Sequence, residues 1–163
     1  LAFVDHEHVG CVGRAIAAAE DACTERRLRL TPTRRRVLEI LLSEHRAFGA
    51  YDVLARLANE GQRAHPPVAY RALDFLVENG FAHKIQILNA FVACSHSGQG
   101  HRPAFLICTE CHTVAEAPLA PDEHSLATAA GATGFRIDYV AFEAEGLCPL
   151  CLQAANDRSQ VSR

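Results

Sequence analysis

The sequence predicts an α+β fold in two parts, and three observations carry that expectation. Between Arg14 and Gly80, apolar residues recur at helical spacing and are bracketed by recognisable start and stop signals. From Phe81 onward, short apolar or alternating runs take over, at Phe81 to Ile87, Ala90 to Cys94, Phe105 to Cys108 and His112 to Glu116. Two Cys-x-x-Cys pairs, Cys108 with Cys111 and Cys148 with Cys151, then bracket most of the second part.

Arg14 to Arg27 has alanines, Ile16 and Cys23 at spacings that suit a helix, though its caps are weak. The next helix is better marked, because Thr31 is a good N-cap, Pro32 suits the first helical position, and Val37, Ile40, Leu41 and Glu44 follow at helical intervals to about His45. A third helix starts near Ala50, buries Val53, Leu54 and Leu57, and stops at Asn59-Glu60-Gly61, where glycine can take the left-handed position. Pro66-Pro67 opens a fourth helix and Gly80 closes it. Ala69, Leu73, Leu76 and Val77 face inward, and Tyr70, Arg71 and Asp74 face outward. Two strands joined by a turn at Leu88-Asn89 follow. Periodicity leaves two architectures open: a winged helix-turn-helix, whose last helix enters the DNA major groove, or a small helical bundle with a solvated polar face.

Beyond the hairpin the sequence predicts a helix from Pro121 to about Ala130 and a β-like run from Phe135 to Glu145. Such an α+β unit is small for a lone core, and pairing with a second copy would stabilise it. The expected organisation is a first domain over residues 1–92, a hinge over 93–103, a second domain over 104–155 and a flexible tail over 156–163.

With 163 residues, 49% of them hydrophobic, the chain can bury a real core and is not a disordered segment. No uncharged apolar run is long enough for a membrane span, and no signal peptide is evident, so a cytoplasmic protein is expected. Seven cysteines, four of them in Cys-x-x-Cys pairs, fit metal binding in a reducing compartment better than a disulfide framework. The net charge of −3 conceals an asymmetry: Thr24 to Lys84 holds 11 basic and 7 acidic residues, and Ala93 to Arg163 holds 4 basic and 8 acidic. A locally basic first part permits DNA binding without demonstrating it.

The chemistry is concentrated between Phe81 and Glu116, which holds His83, Cys94, His96, His101, Cys108, Cys111, His112 and Glu116. Two-residue spacing lets both sulfurs of a knuckle reach one ion, so Cys108, Cys111, Cys148 and Cys151 predict a closed, structural four-cysteine zinc site. A thioredoxin-like redox pair is the competing reading of either motif, and the presence of two such motifs disfavours it. His83, Cys94, His101 and Glu116 fall on the hairpin, its end, the loop and a later strand. One metal ion drawing on all four would hold the hairpin against the second domain only while bound, which is the geometry of a switch. His96 competes with His101 for its place, and spacing favours His101.

The runs Leu30-Thr31-Pro32-Thr33-Arg34, Pro66-Pro67-Val68-Ala69-Tyr70-Arg71-Ala72-Leu73 and Asn79-Gly80-Phe81, followed by the two Cys-x-x-Cys pairs, resemble the ferric uptake regulator (Fur) superfamily of bacterial metal-sensing repressors. The resemblance spans about residues 14 to 155. It implies an amino-terminal winged-helix DNA-binding domain and a carboxy-terminal dimerisation domain, acting as a homodimer on an inverted-repeat operator. Within the superfamily the zinc-sensing branch is most similar, and its regulatory ligands match His83, Cys94, His101 and Glu116. A thiolate, imidazoles and one carboxylate also suit Zn²⁺ better than Mn²⁺ or Fe²⁺. Two departures stand out: His101-Arg102-Pro103-Ala104-Phe105 replaces the His-rich run of iron and peroxide sensors, and Val68-Ala69-Tyr70 replaces the usual Thr-Val-Tyr.

The function so implied is zinc-responsive transcriptional repression of zinc-uptake genes, with about two Zn²⁺ per chain and no catalytic step. Arg71 is the first candidate for base contact, since its guanidinium fork matches guanine O6 and N7. Tyr51 and Tyr70 match tyrosines of the family and are candidate phosphate contacts. Arg34 to Arg36 suit DNA contact or a charged solvated face equally well. Three rivals remain: a zinc-dependent hydrolytic enzyme with three protein ligands and an open position, a sensor of another metal, and a zinc-stabilised interaction module without DNA affinity.

Overall fold

A computed structural model describes residues 8–61, 65–95, 103–117, 123–138 and 140–161. The first part is four helices and a hairpin: α1 (His8–Glu25), α2 (Pro32–Leu42), α3 (Ala50–Asn59), α4 (Pro66–Glu78), β1 (Ala82–Ile85) and β2 (Ala90–Ala93). Its core buries Val37, Leu38, Ile40 and Leu41 from α2 against Val53 and Leu57 of α3 and Leu73 and Leu76 of α4. Leu54 is only partly buried. Helix α1 begins upstream of the expected Arg14, because Val12 extends the stripe of Ile16, Ala19 and Cys23 that packs on this core. Packing here replaces the missing cap.

Helix α2 starts as its caps dictate, with the Arg34 backbone N–H donating to Thr31 Oγ1 at 3.4 Å. It stops at Leu42 rather than near His45, because the next residues are claimed by tertiary pairing. The His45 carbonyl accepts from the Val114 N–H at 2.9 Å, and Phe48 exchanges two 2.8 Å backbone hydrogen bonds with Phe91 of β2. The segment between α2 and α3 thus bonds both to the hairpin and to the second part of the chain.

Helix α4 closes in a Schellman motif. Gly80 takes φ +74°, its N–H donates to the Val77 carbonyl at 3.1 Å, and the Phe81 N–H donates to the Leu76 carbonyl at 2.8 Å. This turn seats Phe81 in the core and sends β1 out antiparallel to β2, with His83 opposite Val92 and Ile85 opposite Ala90. The connection occupies residues 86–89, longer than the expected two-residue turn, with Asn89 at φ +46°.

The second part is a three-stranded sheet in the order β4-β3-β5, built from β3 (Ala104–Cys108), β4 (Val114–Ala117) and β5 (Phe142–Gly146). Strand β4 runs antiparallel to β3 and β5 runs parallel to it. Helix α5 (Glu123–Thr133) lies in the crossover, and α6 (Pro149–Val161) follows β5. Two expectations change here. Among the described residues of the run Phe135 to Glu145, strand begins only with β5 (Phe142–Gly146), and Arg136 pairs instead with Asp138 at 2.8 Å. The chain is helical through Val161, where a flexible tail was expected from residue 156. No described helix is long and apolar enough to cross a membrane.

The two parts share a second apolar cluster, in which Ile85 and Val92 of the hairpin pack with Phe105, Ile107 and Val114 of the sheet. Elsewhere the first part's surface is held by ion pairs. Arg35 pairs with Glu20 and Glu39, and Arg36 with Glu39 and Glu60. Arg36, then Arg35, hold the Glu39 carboxyl below the usual carboxylate range. A depressed folded-state pKa contributes stability above the unfolded value of 4.5 and loses it as pH falls through the folded value. Urea unfolding of Glu39→Gln beside the parent chain is therefore expected to show a stability gap near neutrality that shrinks as pH falls below 4.5 and closes once pH passes the folded value. A gap independent of pH would count against this role.

Candidate metal centres and DNA-facing helix

Strand pairing brings the two distant knuckles together. Parallel pairing of β3 with β5 sets Cys108 opposite Gly146, and the Thr109 N–H donates to the Gly146 carbonyl at 2.8 Å. The second knuckle then lies beside the first. Its residues form the start of α6, with Cys148 just before the helix, Pro149 at its first position and Cys151 in its first turn. The first knuckle closes through His112, which takes φ +58° while its N–H donates to the Cys108 carbonyl at 3.0 Å. That turn delays β4 until Val114.

The four sulfurs lie within 4.8 Å of one another. Cys111 Sγ and Cys148 Sγ are 3.7 Å apart, far beyond a disulfide and close to the roughly 3.8 Å edge of a tetrahedron with Zn–S bonds of about 2.3 Å. Backbone N–H groups are directed at the sulfurs, with Cys148 N 3.3 Å from Cys108 Sγ and Cys151 N 3.5 Å from Cys148 Sγ. Hydrogen bonds from backbone N–H groups, that of Cys111 foremost and then that of Cys148, lower the Cys108 thiol to about 6. The Thr113 hydroxyl, 3.2 Å from Cys111 Sγ, leads in lowering the Cys111 thiol. Cys151, hydrogen-bonded first to Cys148, is pushed up to about 12. So crowded a set of sulfurs ionises fully only around a cation, and a soft tetrahedral one fits it.

A second cluster joins the two parts. His83 on β1, Cys94 just past β2 and Glu116 on β4 offer ligand atoms within 4.8 Å of one another. Cys94 is buried and anchored by its N–H to the Phe81 carbonyl at 3.0 Å. The His83 ring lies 5.3 Å from that of Phe105, and its Nε2 is buried. Glu116 Oε2 accepts from the Ser95 N–H at 2.8 Å, so the carboxylate already reaches across to the end of the hairpin. His101 and its competitor His96 lie outside the described residues. A nitrogen, a sulfur and an oxygen donor suit zinc, and a fourth ligand would complete its usual tetrahedron.

In the first part, Tyr70 and Arg71 are exposed on α4, and Tyr51 is 72% exposed at the start of α3. Arg71 forms no ion pair among the described residues, whereas Arg34 donates to the Arg29 carbonyl at 2.7 Å and lies over the Phe75 ring. With Arg35 and Arg36 paired to carboxylates, all three arginines of α2 are engaged within the protein. One interdomain contact escaped sequence reasoning: the Glu143 carboxylate accepts from the backbone N–H groups of Gln86 and Ile87. A single glutamate in a strand carries no spacing rule that would single it out.

Comparison with known proteins gives a consistent picture. The model of the Ferric uptake regulator family matches residues 25–144. The zinc uptake regulation protein of Escherichia coli (strain K12) is 40% identical over 139 residues, spanning 85% of this chain and 81% of that protein. A solved zinc uptake regulator complexed with zinc and DNA superposes with a TM-score of 0.84 at 38% identity, covering 89% of this chain and 97% of that one. Holo XcZur gives 0.77 at 40% identity, covering 85% and 96%, and apo XcZur gives 0.50 at the same identity, covering 86% and 97%. Taken as a whole chain, the structure here is therefore nearer the holo form of that relative than its apo form.

Proposed function

The chain belongs to the ferric uptake regulator family, and on that premise we propose that it is a zinc-responsive transcriptional repressor. It binds operator DNA as a homodimer when zinc is bound and controls zinc-uptake genes. Residues 1–92 form the DNA-binding domain, 93–103 the hinge and 104–155 the dimerisation domain. The observation that carries the reading is the cluster of His83, Cys94 and Glu116, which draws on residues before, at the start of and after the hinge. Exposed Phe135 and Leu126, which line one groove beside α5, support association with a second copy.

Cys108, Cys111, Cys148 and Cys151 hold the structural ion, and His83, Cys94, His101 and Glu116 hold the regulatory one. Bound between the hairpin and β4, the regulatory zinc would supply a cross-link that strengthens the joint. Cys94 and Glu116 place the ends of the hairpin and sheet together, and Ile85 and Val92 keep the hairpin seated on β3 and β4. The dimer's two recognition helices are thereby held at the separation that successive half-sites require. Arg71 reads a base edge, and Tyr51 and Tyr70 reach the phosphates.

Gel shifts on an inverted-repeat promoter fragment, with zinc and with chelator, test the reading. Retardation is expected only with zinc. Binding that ignores chelator would remove the switch, and no binding in either condition would remove the regulator. Arg71→Ala is expected to weaken specific binding by about 1 to 3 kcal/mol with zinc content unchanged. Unaltered operator affinity in that variant would move base recognition to another side chain.

A further inference from the structure

One row of side chains crosses the sheet beneath the hairpin. In the register of β4-β3-β5, Phe105 lies opposite Glu116 on one side and opposite Glu143 on the other. Residues directly opposite one another share a face, and the 5.3 Å approach of the Phe105 and His83 rings identifies that face as the one turned to the hairpin. The two carboxylates serve opposite ends of the same hairpin. Glu116 belongs with Cys94 and accepts from Ser95 N at the open end. Glu143 accepts from Gln86 N at 2.7 Å and from Ile87 N at 2.8 Å, at the turn end.

The lengths agree. Two interstrand spacings separate Glu116 from Glu143, about 10 Å, and three residues of extended chain from His83 to Gln86 span about the same. The hairpin therefore lies along the row, across the strands of the sheet, with apolar packing of Ile85 and Val92 beneath it. A metal ion at the open end alone would act as a single pivot. A second attachment at the far end removes the remaining rotation.

We propose that Glu143 is a positioning residue for the wing: its carboxylate binds the Gln86-Ile87 turn to the dimerisation domain and fixes the direction in which the hairpin and α4 are presented to DNA. The proposal rests on the regulator reading for its consequence at DNA, but the contact itself does not. The bonds are charge-assisted, since an ionised carboxylate accepts two backbone N–H groups, and they join elements 56 and 57 residues apart. Zinc then completes a joint that is already made at one end, which places the closed arrangement within reach of a modest coupling energy.

The test compares the full-length zinc-loaded protein with Glu143→Ala, Glu143→Gln and, as a control, Glu145→Gln, which alters an exposed carboxylate two residues along the same strand. Hydrogen exchange at Gln86 and Ile87 is expected to accelerate at least about tenfold in Glu143→Ala and less in Glu143→Gln, which keeps one acceptor. Operator Kd at saturating zinc is expected to rise about tenfold in Glu143→Ala, with zinc count and dimer mass as in the parent chain. Glu145→Gln should change neither. Unchanged exchange at the two amides would overturn the attachment, and faster exchange with operator affinity within about twofold of the parent would overturn its positioning role. If the parent chain shows no zinc-dependent operator binding, the regulator reading fails, while the exchange measurement still decides the attachment.

Discussion

Cys108→Ser is expected to lose one tightly held zinc per chain and, with it, the folded state of the carboxy-terminal part. Cys108 sits at the end of β3, 1% exposed, and its sulfur is the point at which the two knuckles meet through the Cys148 N–H. A serine hydroxyl is a poor zinc ligand at neutral pH, because its proton is not released as a thiol's is. The expected loss is large by comparison with what the sheet can supply alone. Structural zinc contributes on the order of 10 kcal/mol of apparent binding energy, against a total stability of about 5 to 15 kcal/mol for a whole domain. Three short strands with one partly exposed row cannot replace it. Metal analysis after mild chelation, far-UV circular dichroism and the mass in solution report the three consequences: a missing tight zinc, lost structure and lost dimer. A variant that keeps its tight zinc and melts with the parent chain would show that the staple does not depend on Cys108.

The same staple shows why some of this protein was legible in its sequence. Cys-x-x-Cys spacing is a local statement about one knuckle, and the sheet had only to bring two such statements together, as β3 and β5 do. Helices α2, α3 and α4 were similarly legible because Thr31, Pro66, Gly61 and Gly80 punctuate them locally. What sequence could not supply was decided at a distance. The end of α2 is set by His45 pairing with Val114, and the start of β5 within the strand-like run by which residues find a place beside β3. Helix α6 was missed for a related reason, since Cys148-Pro149-Leu150-Cys151 reads as a metal knuckle and also starts a helix. Among the proposed regulatory ligands, His83, Cys94 and Glu116 converge because the hairpin lies across the sheet, and nothing in their separations states that. Glu143 lies 57 residues from one of its partners and is the extreme case.

Cys94→Ser is expected to separate sensing from folding. The side chain is buried at the end of the hairpin, but serine occupies nearly the same volume, and the backbone bond from residue 94 to the Phe81 carbonyl does not depend on the sulfur. The four-cysteine site shares no ligand with this one. The variant should therefore remain a folded dimer with its tight zinc in place. Loss of a ligand should weaken the loosely held zinc by more than the 10- to 100-fold typical of losing a mere outer-shell partner, on the order of a thousandfold. With that site no longer filled at working zinc, the operator affinity should stop responding to zinc, erasing a coupling of about 1 to 3 kcal/mol, or roughly 5- to 150-fold. Reciprocity gives an independent reading of the same quantity: operator DNA should tighten the parent chain's weaker zinc site by that factor and leave the variant's unaffected. Titrating zinc against parent and variant, each with and without operator, measures both sides of the cycle. Loss of structure in Cys94→Ser equal to that of Cys108→Ser would end the division into a permanent staple and a sensing site. Full zinc-dependent operator binding by Cys94→Ser would remove Cys94 from the switch.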